Sequence, residues 1–413
     1  MLRVIERHAV LIWGMALGLV LAAPIFLTRP HIRIWEECST VSTKSVCYEE
    51  HLDNILKSQG PPAALEALDT LVAQDPDVRR DTHPYAHHLG KATFAHYKNF
   101  PAAFSHCREA YASGCYHGVL EGYLSSRTSV TAEDIAALCA TLDESGTTDW
   151  LKFQCVHGLG HGLTMYFDHD MLKALLLCDA LKASRERESC YGGVFMENIV
   201  AYQQRTFQSE AGSPHHNHAQ GGLLNPKDPH YPCNVVVKKY QGACYFVHAG
   251  AFLTLNRSNF SQTVKECDGA PTDFIALCYQ SLGREISGFS LATADKTIDL
   301  CMLATAKYRH YCFQGAVVDF IFTHSPEHGM ILCRKLSDVY KQDCYTNVGQ
   351  FLGDFYAEQS ARNNVCGAAE EDYIELCKAV SIPVAPQETM RVTPSSPFER
   401  LAARPRDRMN RAI

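Results

Sequence analysis

The side chains in this sequence best suited to chemistry are histidines and one glutamate at matched positions. They are His88, His117, Glu121, His157 and His161. Two of them, His117 and Glu121, follow a cysteine by two and six residues, and His157 and His161 follow another cysteine at the same distances. Positions two and six share one face of a helix, opposite the cysteine. The spacing therefore predicts a polar face on which imidazole and carboxylate groups from neighbouring helices meet.

Imidazole and carboxylate groups are common ligands of transition metals, so this face predicts a site for zinc, copper, iron or manganese. Three protein ligands and a water molecule would give an open site suited to catalysis, whereas four protein ligands would give a structural site. The alternative is a metal-free face on which the histidines only form hydrogen bonds. Glycines between His157 and His161 favour close approach of a ligand or another backbone, because glycine otherwise costs a helix about 1 kcal/mol relative to alanine.

Further candidate ligands lie elsewhere in the sequence. A histidine-rich insertion at 204–232 contains His215, His216 and His218, which are either metal ligands or part of a solvated loop. Acidic residues stand seven positions after a repeated cysteine at three places, which are Glu197, Glu285 and Asp319. At about 340° around an ideal helix they return to the cysteine side, so we expect them away from the histidine face.

The cysteines reveal the elements that must position these residues. All but two of the 18 fall into eight consecutive couples within the repeated region. The expected disulfides are Cys107–Cys115, Cys139–Cys155, Cys178–Cys190, Cys233–Cys244, Cys267–Cys278, Cys301–Cys312, Cys333–Cys344 and Cys366–Cys377. The second members of the last five couples recur every 32 to 34 residues, which is a repeat period. Apolar residues at three- and four-residue spacing on both sides of each couple predict two helices per unit, with the disulfide closing the turn between them.

One segment shows the unit well: His106-Cys-Arg-Glu-Ala-Tyr-Ala-Ser-Gly-Cys-Tyr-His-Gly-Val-Leu. In period and cysteine placement, residues 80 to 380 resemble tetratricopeptide-related repeats of the secreted, cysteine-rich bacterial kind, in which a disulfide joins the two helices of a repeat. That resemblance implies a right-handed superhelix with a concave binding surface. The expected fold class is an all-α solenoid of disulfide-clipped helical hairpins with an N-terminal transmembrane helix.

The two ends of the chain differ from the repeats. Residues 9–27 form an uncharged apolar stretch close to the length that spans a bilayer, so we expect 1–30 to be an uncleaved membrane anchor, with a cleaved signal peptide as the alternative. A juxtamembrane segment at 31–79 would precede the repeat domain at 80–380. Residues 381–413 are rich in proline and arginine and predict a disordered tail.

Composition limits the function. The formal net charge of −7 argues against nucleic-acid binding, and 18 cysteines favour an oxidising compartment, placing most of the chain outside the cytoplasm. No HExxH, CxxCH haem, Walker or GxSxG motif occurs. Two classes of function remain. One is a membrane-anchored module that binds a protein, peptide or glycan on its concave face, with or without a metal ion. The other is a metal-dependent hydrolase or oxidoreductase that uses the same face.

Overall fold

The computed structural model describes residues 32–80, 82–108, 110–111, 113–140, 149–210 and 223–382. Across these ranges the secondary structure is helical and contains no strand. The described helices begin with α1 (Ile32–Cys38), α2 (Lys44–Gln59), α3 (Pro61–Gln74), α4 (Pro76–Arg80), α5 (Thr82–Tyr97), α6 (Phe100–Ser105) and α7 (Gly114–Ser125). They continue with α8 (Ala132–Leu138), α9 (Asp149–Tyr166), α10 (Met171–Cys178), α11 (Ser184–Glu210), α12 (Lys238–Val247), α13 (Ala249–Leu255) and α14 (Phe260–Asp268).

The C-terminal part repeats the same alternation of a short and a long helix. Its helices are α15 (Ile275–Ser290), α16 (Ala294–Cys301), α17 (Arg309–Thr323), α18 (Pro326–Lys335), α19 (Asp338–Phe355), α20 (Gln359–Cys366) and α21 (Glu371–Val380). One 3-10 turn, Ala306–Tyr308, precedes α17. The segment at 31–79, assigned from the sequence to a juxtamembrane region, is helical over most of its length, and its apolar residues belong to the same core as the repeats.

The disulfides lie where the repeat pattern places them. All 18 cysteines are among the described residues, and none is free. The eight expected couples are bonded, and Cys38–Cys47 adds a ninth disulfide ahead of them. Nine disulfides indicate an oxidising, extracytoplasmic environment.

A tyrosine next to the disulfide closes several hairpins a second time. Tyr191 donates its hydroxyl to Asp179 at 2.5 Å, and Tyr279 donates to Asp268 at 2.7 Å. In both units the tyrosine follows the second cysteine of a couple and the acid follows the first. A hydrogen bond to a charged group stabilises by about 1.5–3 kcal/mol, so this contact reinforces the covalent closure of the turn.

The long helices pack in order along the chain. Contacts run from α5 to α7, α9 and α11, then through α12 to α15, α17, α19 and α21. In addition, α9 contacts α19, so helices far apart in this order also touch each other. The core consists of cysteine, small, aliphatic and aromatic residues, and it forms one cluster that extends from Ile34 to Cys377.

The apolar segment at 9–27 and the tail at 383–413 lie outside the described residues, and so do His215, His216 and His218. Within the described ranges, no helix combines the length and the apolar character that crossing a bilayer requires. The insertion begins within a helix, because α11 continues to Glu210.

Candidate metal centre

Glycines at the packing surfaces let α5 approach α7 and let α9 approach α11 closely. An ideal Cβ on Gly90 of α5 would lie 2.1 Å from the Cys115 carbonyl oxygen of α7. A Cβ on Gly160 of α9 would lie 2.1 Å from the Cys190 carbonyl oxygen of α11. Only glycine permits two helix backbones to approach this closely. Side chains one turn from these glycines are therefore held against the neighbouring helix.

Five imidazole rings meet in the space between α5, α7, α9 and α11. They belong to His83, His87, His117, His157 and His161. Adjacent ring centroids are 4.4 to 5.5 Å apart, from the His83–His87 pair to the His83–His117 pair. The His117 and His161 rings are stacked at 5.3 Å and 17°. His117, His157 and His161 are buried, at 2%, 9% and 1% exposure, whereas His83 and His87 are partly buried.

Oxygen atoms around the cluster fix the tautomer of three rings. His83 donates from Nδ1 to the backbone carbonyl of Tyr111 at 2.7 Å. His157 donates from Nδ1 to the carbonyl of Ser189 at 3.2 Å, and His117 donates from Nε2 to Gln154 Oε1 at 3.0 Å. A carbonyl oxygen only accepts, so in each neutral ring the other nitrogen carries the lone pair.

Carboxylates hold the remaining two rings in the same manner. His87 Nδ1 lies 2.5 Å from Glu121 Oε1, and His161 Nδ1 lies 3.0 Å from Glu197 Oε2. Both carboxylates are buried, at 1% and 6% exposure, and Lys91 Nζ is 3.1 Å from the other oxygen of Glu121. An imidazole backed by a carboxylate is the usual arrangement behind a metal-bound histidine, where the carboxylate orients the ring and raises its basicity.

The inward nitrogens lack hydrogen-bond donors. His83 Nε2 and His87 Nε2 face each other at 2.9 Å, although the Nδ1 atom of each ring is already directed at an oxygen acceptor. His117 Nδ1 and His161 Nε2 are buried and have no hydrogen-bond partner. An unsatisfied buried polar atom costs about 1–3 kcal/mol, so this interior is set up for a cation or a proton that accepts these lone pairs.

Burial keeps the rings neutral. It lowers the pKa of His83, His117 and His157 well below the ordinary value, and lowers that of His161 to about 3. A neutral ring is the form that binds a metal, so at neutral pH no proton has to be displaced from these four.

The two carboxyl groups differ in their titration. Burial, reinforced by the charge of Glu121, raises the pKa of Glu197 to about 7. Burial also acts to raise the pKa of Glu121, but the nearby His87 and Lys91 outweigh it and lower that pKa to about 2. Two buried carboxyl groups near one another do not both ionise easily unless a positive charge lies close by.

The ligand atoms fall into two sets of three. His83, His87 and His117 each offer a nitrogen, and these nitrogens all lie within 4.8 Å of one another. Glu121, His161 and Glu197 form a second set, whose ligand atoms also lie within 4.8 Å of one another. Two further groups, around His51 and His248, consist of one histidine and two cysteines, but the sulfur atoms of both are joined in disulfides and cannot act as thiolate ligands.

The structure brings four of the five residues of the predicted face together: His117, Glu121, His157 and His161. It does not bring His88 to them. The His88 ring lies on the outer side of α5, with Nε2 2.8 Å from Asp53. The contact of Gly90 with α7 sets the orientation of α5. Neighbouring residues differ by about 100° around a helix, so in this orientation His87 points inward and His88 does not.

Three members of the cluster were not predicted as ligands: His83, His87 and Glu197. The first two had a visible signal, because His83 and His87 repeat the four-residue spacing of His157 and His161. The expectation that Glu197 lies away from the histidine face was wrong, because it was worked out for an isolated helix. Glu197 stands one turn after Gly193, whose backbone presses against His157, and this contact turns it towards α9.

A third helix pair shows the same packing without the histidines. Gly283 of α15 meets the Cys312 carbonyl oxygen of α17 at a Cβ distance of 1.9 Å, as Gly160 meets α11. The positions that correspond to His157 and His161 hold Gln280 and Arg284. This fold therefore does not need imidazoles in order to pack its helices together.

Neither a protein-family model, nor a curated protein, nor a solved structure matches the chain.

Proposed function

We propose that this protein is an extracytoplasmic metal-binding protein of helical repeats, in which His83, His87 and His117 hold a transition-metal ion. The observation that carries the proposal is the direction of the imidazole lone pairs. In His83, His87, His117 and His161 one nitrogen is directed at a fixed oxygen, and the other either faces a second ring nitrogen or has no partner. Zinc and copper are the ions that a set of three imidazoles favours, with iron and manganese as weaker candidates.

The His83–His87 contact fits an ion better than it fits a hydrogen bond between two neutral rings. Two lone pairs 2.9 Å apart repel each other unless a cation lies between them. With metal–nitrogen bonds of about 2.05 Å, a separation of 2.9 Å corresponds to an angle of about 90° at the ion. The alternative is a protonated His87 that donates to both Glu121 and His83, and the experiment below separates the two.

The same proposal includes the repeat architecture, the attachment to a membrane and the partner. The order of helix contacts supports a solenoid in which each unit packs on its neighbours. Residues 9–27 would attach it to a membrane, with the disulfide-bonded domain on the extracytoplasmic side. The polar interior surface would then receive a protein, peptide or glycan partner or a small ligand, bound through the metal.

A metal-dependent enzyme is the second candidate, and one arrangement favours it. Three imidazoles leave a fourth position of a tetrahedral ion free for water or substrate. Glu197 belongs to the same cluster and has a pKa of about 7, which is the range in which a carboxyl group can both accept and donate a proton near neutral pH. A hydrolase or an oxidoreductase could use this pair of features.

The test is the metal content of the full-length protein, produced with its disulfides formed and without a histidine tag. We expect stoichiometric zinc or copper by elemental analysis, and we expect His87→Ala to lose the ion held by His83, His87 and His117. The matched control is His88→Ala, which deletes the neighbouring imidazole on the outer side of α5 and should leave metal content unchanged. Non-reducing peptide mapping and circular dichroism check that both variants keep the fold. A wild-type protein that binds no added zinc or copper, or equal metal in both variants, would overturn the proposal.

A further inference from the structure

We propose that the cluster holds two metal ions, the second bound by Glu121, His161 and Glu197. This inference rests on the metal site proposed above and extends it. The second set shares no ligand residue with the first, and its three ligand atoms lie within 4.8 Å of one another. It draws on three helices, α7, α9 and α11, so an ion at this position would join elements that the disulfides leave separate.

The second set has its own unpartnered atom. His161 is 1% exposed, and its Nε2 has no hydrogen-bond partner. Glu121 and Glu197 are also buried, at 1% and 6% exposure. The Nδ1 atom of His161 donates to Oε2 of Glu197 at 3.0 Å, which leaves the lone pair on Nε2 free to bind an ion.

Charge favours an ion in this set more strongly than in the first. The first set consists of three imidazoles, whereas the second contains two carboxyl groups. Lys91 neutralises part of the Glu121 charge, at 3.1 Å, and comes from the side of the cluster nearer to solvent. A divalent cation would compensate both carboxylates at once and remove the repulsion between them.

The two ions would be coupled through a hydrogen bond. If the inward Nε2 of His87 binds the first ion, its Nδ1–H donates to Glu121 Oε1 at 2.5 Å, and Glu121 is a ligand of the second ion. Glu121 would then orient a ligand of one ion while binding the other directly. The donor types differ as well. Two carboxylates with one imidazole favour iron, manganese or zinc, whereas three imidazoles favour copper or zinc.

The decisive variant is Glu197→Gln, which has nearly the same size and removes one ligand charge. Its matched control is Glu285→Gln on α15, because Glu285 is a partly buried carboxyl group whose pKa is also raised to about 7, but it belongs to neither set. The probe is zinc chloride titrated into metal-free full-length protein and followed by calorimetry, with bound metal counted by elemental analysis. We expect two zinc ions per chain in the wild type and in Glu285→Gln, and one in Glu197→Gln.

The outcomes are separable. One ion in the wild type, unchanged in Glu197→Gln, would overturn the second site and leave the first in place. No ion in the wild type would overturn both proposals. Two ions that persist in Glu197→Gln would overturn the assignment to these ligands. Should Glu197→Gln fail to fold, titration of the wild type with cobalt(II) decides: visible absorption that keeps growing to two equivalents supports the pair, and saturation at one equivalent refutes it.

Discussion

Replacing Gly160 by alanine tests how the helices are held at the cluster. The new Cβ would lie 2.1 Å from the Cys190 carbonyl oxygen and 2.8 Å from the Val194 nitrogen. Both are backbone atoms of α11, so no side-chain rotation relieves the overlap. To restore an ordinary contact, which begins at 3.4 Å, α9 and α11 must move apart by about 1 Å.

The expected magnitude combines two opposing effects. Overpacking of this kind costs about 1–3 kcal/mol and sometimes more. Alanine regains about 1 kcal/mol of helix propensity over glycine. Because the clashing atoms are backbone, the cost falls at the upper end of this range, about 2–3 kcal/mol, and we expect Gly160→Ala to lower the free energy of unfolding by a net of about 1–2 kcal/mol. Because Gly160 lies between His157 and His161, the same displacement should weaken zinc binding.

The control is Gly192→Ala on the facing helix. Its Cβ would lie 3.5 Å from His157 Nδ1, which is an ordinary contact. Without a clash, alanine should raise the free energy of unfolding by up to about 1 kcal/mol through its higher helix propensity. The assay is urea unfolding of the oxidised protein, with hydrogen exchange of the α9 and α11 amides as a local measure. The two variants should differ by about 2 kcal/mol. If Gly160→Ala is as stable as the wild type, the close helix contact is not what holds the cluster.

Three further predictions concern the scaffold. The folded-state pKa of Glu285 is raised to about 7 from 4.5, so its stabilising contribution is complete below about pH 4.5 and is lost as the pH rises through 7. In urea unfolding, the stability of the wild type relative to Glu285→Gln should therefore fall by on the order of 3 kcal/mol between pH 4.5 and pH 8. A difference that stays constant with pH would refute this. Replacing Cys301 and Cys312 by serine opens a loop of 11 residues and should lower the free energy of unfolding by about 3 kcal/mol in the chain-entropy model, measured by thermal unfolding. A decrease of less than about 1 kcal/mol would show that the turn closes without its disulfide. Tyr279→Phe removes the hydroxyl that bonds Asp268 at 2.7 Å and should destabilise by about 1–2 kcal/mol; an unchanged melting temperature would contradict the reinforcing role of this contact.

The sequence by itself determined the helical class, the disulfide pairs and most of the polar face. Helix periodicity and cysteine spacing are local properties, and a couple separated by 11 residues can close only a turn between adjacent helices. For the same reason His157 and His161 could be placed on one face from their spacing alone. His117 and Glu121 followed from the repeat period, which carries the position from one helix to the next.

Only the tertiary structure decided which residues of neighbouring helices meet. The register of α5 depends on the contact of Gly90 with α7, and a shift of one residue exchanges His87 for His88 as the inward ring. Glu197 reaches His161 because α9 and α11 approach at a glycine contact that no single helix reveals. The ring tautomers likewise depend on oxygen atoms from other helices and loops, such as the Tyr111 carbonyl. Angles around one helix are fixed by its own sequence, whereas the position of that helix against its neighbours is fixed by the surfaces that pack.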